Sequence, residues 1–235
     1  MRKASGGILH YIPPAFLHFV NKTSQNESTP PRALAGDFGK ADMERIKWRG
    51  SALLSPAPAA LVTTGVGEEA NVLTVAWCGI TCTHPPVTYI SVRPRRHSYG
   101  LLKACGEFVI HLTNEDLLYA ADYCGMYTGA KVNKFEKCHL SCIPSTEVAP
   151  PTIAEAPVAL ECRVRHVEAL GTHDMFLADI LAVTVREELL DDTGRLCLER
   201  AHLIAYSHGT YFGLGKQLGQ FGFSAVKRRH TDKKR

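Results

Sequence analysis

The residues with the clearest chemical capacity lie in one short turn, which contains Arg93, Arg95, Arg96, His97 and Ser98. The turn separates a run typical of a β-strand from a run typical of a short helix. Unpaired N–H groups at a helix N-terminus attract anions, and Ser98 adds a hydroxyl that could also cap the helix. The turn therefore suits an anion such as a phosphate. These residues alone leave a solvated basic turn as the alternative.

Four more candidates lie outside this turn. Asn71 and Trp77 belong to one apolar strand-like run, where the indole is either a flat binding surface or a core aromatic. Lys134, in the segment KVNKFEK, is either an anion ligand or a surface lysine. His173 lies in a predicted hairpin turn and titrates near neutral pH, but it could equally be a plain polar turn residue.

Three motif-like patterns predict no site. The pairs Cys78–Cys82 and Cys138–Cys142 have spacings that could suggest zinc, but the first pair lies within a strand, so we predict no metal. The segment from Gly213 to Lys216 resembles a phosphate loop, but Gln217 follows where Ser or Thr is required. No GxGxxG motif follows a strand, so any pyridine dinucleotide would have to bind without a Rossmann domain.

Size and composition indicate one globular domain. The chain has 235 residues, 45% of them hydrophobic, and a formal charge of +4. The segment Lys227–Arg235 holds six Lys or Arg and one Asp, a net +5, so the rest of the chain is close to neutral (4 − 5 = −1). No aromatic residue interleaves with this tail, so we predict a solvated end and no nucleic-acid partner. Eight dispersed cysteines predict reduced thiols in a cytoplasm, and the absence of an apolar run of 18 residues predicts no membrane span.

The N-terminus predicts a separate segment. An apolar stretch after Lys3 loosely imitates a signal peptide, but His10 and Pro13 interrupt it. Residues 21–42 are rich in Asn, Ser, Thr, Pro and Gly, as in a disordered linker. We therefore expect a disordered extension over residues 1–42 that is dispensable or not native, with Met43 as the true start. A domain over 43–226 and a basic tail over 227–235 complete the predicted organisation, and an intact mass from the native host would test the start site.

The secondary-structure pattern is mainly β. Turn residues and apolar runs predict a helix over Ser98–Cys105 and another from Asn114 to about Tyr123. This pattern favours a small barrel or closed sheet. The predicted strands are Ala59–Thr64, Asn71–Thr81, Val87–Val92, Glu107–Leu112, Val158–Ala169 and Met175–Glu187.

Two blocks carry a family resemblance. Residues 71–112, from NVLTVAWCG to EFVIHL, and Tyr123–Leu140, YCGMYTGAKVNKFEKCHL, occur in the order found in the flavin reductase-like, FMN-binding split barrels, the flavoredoxin group. The resemblance runs from about Lys47 to about Val226. It implies a mainly β fold, an FMN-binding split β-barrel with a few short helices, and a homodimer with FMN near the interface.

The resemblance also implies roles for individual residues. Ser98 takes the position of the phosphate-binding hydroxyl, and Lys134 that of a lysine reaching the phosphate, although Asn133 stands where relatives often carry an acid. His173 is the candidate catalytic residue near the flavin, and Tyr211 belongs to a segment that closes the site. Cys124 has either a redox or substrate-side role or is an inert buried thiol. The implied cofactor-binding residues are Asn71, Thr74, Val75, Ala76, Trp77, Cys78, Ser91, Arg93, Ser98, Lys134, His173 and Tyr211.

The implied function is redox chemistry through bound FMN. The first hypothesis is an NAD(P)H:flavin oxidoreductase with NADH or NADPH as a transient donor. The alternative is a flavoredoxin-like electron-transfer protein that a redox protein partner reduces, and a third is a module that shields or senses FMN. FMN is predicted over FAD because nothing in the sequence resembles an adenosine pocket.

Overall fold

The computed structural model describes residues 45–225. The chain divides into two compact units, Met1–Ala52 and Leu53–Arg235, and the fold below is that of the second. The predicted extension over residues 1–42 and the basic tail over 227–235 lie outside the described residues. Among the helices of the described part, none is long and apolar enough to cross a membrane.

Twelve strands and three α-helices make up the described part of this unit. The helices are α1 (His97–Cys105), α2 (Leu118–Met126) and α3 (Lys134–Lys137). The strands are β1 (Ala57–Pro58), β2 (Ala60–Thr64), β3 (Asn71–Val75), β4 (Cys78–Thr83), β5 (Pro86–Val92), β6 (Glu107–Leu112), β7 (Cys142–Ile143), β8 (Thr152–Ile153), β9 (Val158–Ala169), β10 (Asp174–Val185), β11 (Ile204–Ser207) and β12 (Thr210–Gly213).

Seven of the strands form one antiparallel sheet in the order β3-β2-β6-β9-β10-β5-β4. The two edge strands, β3 and β4, are separated in sequence only by Ala76 and Trp77. Three Cα–Cα steps span at most about 11 Å, whereas the edges of a flat seven-stranded sheet lie about 29 Å apart. The sheet must therefore curl until its edges meet, which makes it a barrel.

The predicted strand Asn71–Thr81 is wrong as one element. The chain leaves the sheet at Ala76 and Trp77 and returns on the opposite edge, where β4 is largely exposed rather than buried on both faces. The sequence carries no Gly or Pro at this break, so it has no local turn signal. By contrast, the predicted strands Val158–Ala169 and Glu107–Leu112 are confirmed at both ends, and the mainly β class with a few short helices is confirmed.

Strands β2 and β3 are buried on both faces because they separate two apolar layers. Val62 and Leu73 point into the barrel, where they join Ile90, Phe108 and Phe176 in the main core. The neighbouring Leu61 and Val72 point outward and pack with α2 residues and Ile153. Successive side chains alternate between the faces of a strand, so both layers come from one continuous apolar run.

The helices begin at three differently built N-termini. Asn114 Oδ1 accepts a hydrogen bond from Leu117 N, and a 3₁₀ turn over Glu115–Leu117 leads into α2, so the predicted start at Asn114 is confirmed. Asn133 Oδ1 accepts from the backbone N–H groups of Phe135 and Glu136 and caps α3. The prediction that Ser98 caps α1 is wrong: Arg96 occupies the cap position without a side-chain hydrogen bond.

Candidate functional site

A cavity of about 340 Å³ opens between the start of α1, the strand β3 and the end of α2. One wall is basic and comes from the turn before α1 and its first residues. The opposite wall comes from the end of α2 and the segment that follows it, while β3 and Lys134 form the floor. The lining residues are Asn71, Leu73, Arg95, Arg96, His97, Ser98, Gly125, Met126, Tyr127, Thr128, Gly129 and Lys134.

Asn71 joins the two walls. Its Nδ2 donates a hydrogen bond of 2.6 Å to Ser98 Oγ, and both residues are buried. On the other side, a Cβ added to Gly129 would lie 2.1 Å from Asn71 Oδ1. Real Cβ atoms never approach a polar atom so closely, so the loop reaches Asn71 only because position 129 is glycine. The close packing orients Asn71 and Ser98 together at the beginning of α1.

The arginines of the basic wall form no salt bridge with a carboxylate among residues 45–225. Within residues 45–225, none of the ion pairs involves Arg93, Arg95 or Arg96. Burial, followed by repulsion from Arg95 and then Arg93, lowers the pKa of the Arg96 guanidinium. Mutual repulsion of this kind costs energy unless an anion lies nearby. The wall also contains the N-terminus of α1, an end of a helix that favours negative charge, so it suits an anionic ligand.

Lys134 is buried, and the alternative of a surface lysine is wrong. Its Nζ donates hydrogen bonds to the carbonyl oxygens of Val72 (2.8 Å) and Cys124 (3.0 Å). Burial is the main cause that lowers the pKa of this ammonium group. Lys134 therefore ties β3 to the last turn of α2 and puts a positive charge in the cavity floor. Asn133, which stands where an acidic residue was expected, caps α3, the helix that carries Lys134.

A second group of predicted residues meets at the ends of β4, β5 and β10. The rings of Trp77 and His173 lie 4.4 Å apart between centroids, and Trp77 is 43% exposed. Arg93 Nε donates to His173 Nε2 over 3.2 Å, and Thr172 Oγ1 lies 3.0 Å from His173 Nδ1. Burial and then the charge of Arg93 lower the pKa of His173, which favours the neutral ring. Ser91 N donates to Trp77 O over 2.8 Å and holds the indole segment in place.

Several side chains between the cavity and the Trp77–His173 group are buried and pack against neighbouring elements. Thr74 Oγ1 donates to the carbonyl oxygen of Ala121 and ties β3 to α2. Val75 is in the barrel core, and Cys78 packs against that core with its pKa raised to about 11 by burial. Within the segment from Thr74 to Cys78, the side chains of Thr74, Val75 and Cys78 are thus engaged in packing, whereas the indole of Trp77 is partly exposed.

Tyr211 lies away from both groups. Its hydroxyl donates to Asp122 Oδ1 over 3.2 Å, and its ring contacts Tyr206 near Ala121. It is absent from the cavity lining. Its predicted role as a lid over the site therefore stays a prediction.

Cys124 is fully buried, and burial raises the pKa of its thiol to about 12. A thiol with so high a pKa is not a nucleophile at neutral pH. The part of Cys124 that contributes to the site is its carbonyl oxygen, which accepts from Lys134. This favours the inert alternative over a redox role.

The sequence reasoning missed the wall that follows α2. Tyr127, Thr128 and Gly129 line the cavity, yet the block Tyr123–Leu140 suggested only Cys124 and Lys134. Gly129 was the available signal, because a glycine permits a close approach of the backbone. Arg95 also lines the cavity, whereas the predicted Arg93 binds His173 instead.

Known proteins resemble this chain in both sequence and fold. A protein of Archaeoglobus fulgidus is 36% identical over 131 residues, which cover 56% of this chain and 73% of that protein. The 4-hydroxyphenylacetate 3-monooxygenase reductase component of Escherichia coli is 28% identical over 149 residues, covering 63% of this chain and 85% of that protein. The flavoredoxin of Desulfovibrio vulgaris (Miyazaki F) superposes with a TM-score of 0.72 at 26% identity, over 78% of this chain and all of the flavoredoxin chain.

The family model agrees with these similarities. The flavin reductase like domain matches residues 53–215, which is most of the chain. The match spans both cavity walls, Lys134 and the group around His173. The chain therefore belongs to the flavin reductase like domain family and has its split-barrel fold.

Proposed function

We propose that the chain is an FMN-dependent oxidoreductase of the flavin reductase type, with NADH or NADPH as a transient electron donor. Family membership supports a flavin-binding redox protein in general. The observation that carries the FMN assignment is the cavity at the start of α1, where Arg95, Arg96 and Ser98 face Gly129. The similarity to a monooxygenase reductase component supports the reductase reading.

The residues of this cavity fit the phosphate of FMN. Its lining contains two arginines, a lysine and a histidine but no carboxylate, so the lining residues supply only positive or neutral groups. Ser98 adds a hydroxyl, and the first turn of α1 adds backbone donors. The close approach of Gly129 to Asn71 leaves no space for a Cβ, so only glycine lets the loop backbone form this side of the cradle. A dianionic group in this cradle would relieve the repulsion among the arginines.

The segment from Thr74 to Cys78 then provides the place for the flavin ring. It runs from the cavity floor at β3 to Trp77, whose indole is partly exposed beside His173. Bound flavin supplies hydride and electron transfer. In this proposal His173 is the catalytic residue: its neutral ring is held by Arg93 and Thr172, and it releases one of these two partners to form a hydrogen bond with the ligand at the reacting end.

An electron-transfer protein reduced by a redox partner is the second candidate function. The similarity to a flavoredoxin favours it, and the exposed Arg93 and Arg95 would attract an acidic protein surface. The predicted homodimer belongs to either proposal. Exposed apolar side chains on β4 and β10, the two strands that flank β5, support a subunit contact there; they are Ile80, Leu181 and Val183.

An anaerobic reduction experiment separates the two functions. The FMN-loaded protein is mixed with NADH and, separately, with NADPH, and the visible flavin absorbance is followed. Rapid bleaching supports the reductase and identifies its donor. Bound flavin that only dithionite reduces supports the electron carrier instead. A protein that binds no flavin contradicts both.

Two variants test the phosphate site directly. Replacing Arg95 with Gln removes a charge from the cavity wall, so we expect FMN affinity to fall at least about tenfold, since a charge-assisted bond to phosphate contributes about 1.5–3 kcal/mol. Lys131→Gln is the matched control, because Lys131 is an exposed cation outside the lining. Calorimetric titration measures both. Equal losses in the two variants would mean that only the net charge matters.

A further inference from the structure

A hydrogen bond joins helix α1 to the beginning of β10, next to the candidate catalytic residue. Tyr99 Oη donates to Asp174 Oδ2 over 2.6 Å, and this bond is the main cause that raises the pKa of the Tyr99 phenol. The hydroxyl therefore keeps its proton and remains a donor. Among residues 45–225, the Asp174 carboxylate has no other hydrogen bond and no ion pair. Asp174 directly follows His173 in the chain.

The ring of Tyr99 is anchored in the barrel. It packs against the main core and makes an edge-to-face contact with Phe176, with 5.6 Å between the ring centroids. Lys103, one helical turn further on, places its ammonium group 5.8 Å from the centroid of the Tyr99 ring. Because the ring is fixed, its hydroxyl holds Asp174 at a defined position relative to α1.

The hairpin tip that carries His173 lies beyond the last strand pairs. Asp174 is the first paired residue of β10, and its partners are Val92 at the end of β5 and Ala169 at the end of β9. The tip from Leu170 to His173 lies outside the strands, and a backbone hydrogen bond from Leu170 N to His173 O closes it. Asp174 is therefore the last point at which the sheet and α1 hold the chain before His173.

The partners of the His173 ring are not core residues. Arg93 and Thr172 contact the ring by hydrogen bonds, and Trp77 contacts it through its indole. Arg93 and Thr172 are exposed, and Trp77 is partly exposed. The position of the ring therefore depends on where the backbone of the tip is held.

Consecutive residues of α1 connect the two parts of the proposed site. Ser98 accepts a hydrogen bond from Asn71 and lines the cavity, while Tyr99 donates to Asp174. Within residues 45–225, these are the hydrogen bonds that side chains of α1 form. One helical turn thereby relates the anion site to the hairpin tip, as a ligand that reaches from one to the other would require.

We propose that the Tyr99–Asp174 hydrogen bond positions His173 beside the flavin, so that Tyr99 and Asp174 are positioning residues of the site. The proposal rests on the proposed function, because it needs His173 to act on the bound ligand. Placement matters, since a shift of about 1 Å in a reacting group can cost about 100-fold in rate. A tyrosine anchored in the core supplies this precision to a tip that lies beyond the strand pairs.

The kinetic test follows anaerobic reduction of the FMN-loaded full chain at saturating NADH or NADPH. Tyr99→Phe removes only the hydroxyl, so we expect the reduction rate to fall at least about tenfold while FMN affinity is unchanged. Asp174→Asn keeps an acceptor for Tyr99, so its rate should stay closer to the wild-type rate than that of Asp174→Ala. Tyr119→Phe is the matched control, because Tyr119 is exposed and its hydroxyl forms no hydrogen bond among the described residues.

A double-mutant cycle separates positioning from a general structural role. If Tyr99 acts through His173, Tyr99→Phe should cause no further loss of rate in the His173→Ala background, whereas independent effects would multiply.

An NMR titration of the flavin-free chain measures the position of the ring without any donor. The His173 signal is the one that His173→Ala lacks. Burial and then the charge of Arg93 lower the pKa of His173 from 6.5. A loosened tip exposes the ring and separates it from Arg93, so this pKa should rise toward its ordinary value in both Tyr99→Phe and Asp174→Ala.

Other charges at this end of the strands do not account for such a rise. Glu168 on β9 is bonded to His166 and is common to all the variants. Tyr99→Phe frees the Asp174 carboxylate, whereas Asp174→Ala removes it. A rise in both variants therefore follows from the lost hydrogen bond and not from a change of charge.

Four results would overturn the proposal. The first two are a wild-type reduction rate in Tyr99→Phe and a loss of equal size in the His173→Ala background. The others are an unchanged pKa of His173 in both variants and a loss of FMN affinity that matches the loss of rate, which would assign the bond to cofactor binding. If Tyr99→Phe does not fold, Asp174→Ala and Asp174→Asn make the same comparison. A wild-type protein that neither NADH nor NADPH reduces removes the reductase, and the NMR titration then decides whether the bond positions His173.

Discussion

Acid should destabilise this protein through His111, a fully buried histidine on β6. Its Nδ1 lies 3.1 Å from the carbonyl oxygen of Leu61, and its Nε2 accepts a hydrogen bond of 2.9 Å from Ile153 N. The ring therefore carries its proton on Nδ1 and joins β2, β6 and β8. Protonation of Nε2 would place its N–H against the N–H of Ile153, so this hydrogen bond would be lost. It would also put a positive charge in the core.

The size and sign of the effect follow from the pKa of this ring. Burial lowers the pKa from 6.5 to about 4, against smaller opposing effects of the bond to Leu61 and of Glu161. Because the folded pKa lies below the unfolded one, the unfolded chain binds more protons between these values. Stability is thus fully present above about pH 6.5 and is lost as the pH falls toward 4. Proton linkage converts this shift into a loss of about 2.5 kcal/mol between about pH 7.5 and about pH 4.5.

Urea unfolding at several pH values measures this loss. The matched variant is His111→Gln, which keeps a polar group but does not titrate in this range. We expect the free energy of unfolding of the wild type to fall about 2.5 kcal/mol more than that of the variant over the same interval. Parallel pH profiles for the two proteins would refute the reasoning, because every other titrating group is common to both.

Three further predictions concern the cavity and its supports. Gly129→Ala places a Cβ 2.1 Å from Asn71 Oδ1, so we expect FMN affinity, measured by calorimetry, to fall at least about tenfold, in line with the cost of overpacking. Lys134→Met removes two hydrogen bonds to buried carbonyl oxygens, so we expect the free energy of unfolding in urea to fall by about 2–4 kcal/mol. Because burial raises the pKa of Cys124 to about 12, iodoacetamide should leave it unmodified in the folded protein while the exposed Cys82 reacts, as mass spectrometry can check.

Each of these predictions has a control within the chain. Gly100→Ala tests the first, because a Cβ at Gly100 meets nothing within 4 Å; equal losses in both glycine variants would contradict the close-approach argument. Lys131→Met removes an exposed ammonium and should leave stability unchanged. Modification of Cys124 at the rate of Cys82 would show that its environment is open to solvent.

Local sequence patterns were sufficient to predict several structural elements. The apolar run and turn residues around β9 predict the bounds Val158–Ala169 that the structure has, and Asn114 predicts the start of the segment leading to α2. The basic turn before α1 predicts an anion site, and its Arg95, Arg96 and Ser98 do line a cavity. Each of these signals depends on residues only a few positions apart, so the local sequence is enough to predict the element.

Tertiary packing decided what the local pattern could not. Ser98 has the residue type of a helix cap, but it is buried against Asn71, 27 residues away in sequence. Lys134 has the residue type of a surface cation, but two carbonyl oxygens from other elements hold it inside.

The amino-acid sequence by itself determined the mainly β class, the bounds of several longer strands to within about two residues and the basic turn, because periodicity and turn chemistry act over a few residues. Only the tertiary structure decided that the run from Asn71 breaks at Trp77 and occupies both edges of one sheet. It also decided that Gly129 meets Asn71 beside the cavity. These contacts depend on closure of the barrel and packing of α2 on β3, which bring together residues that no spacing along the chain relates.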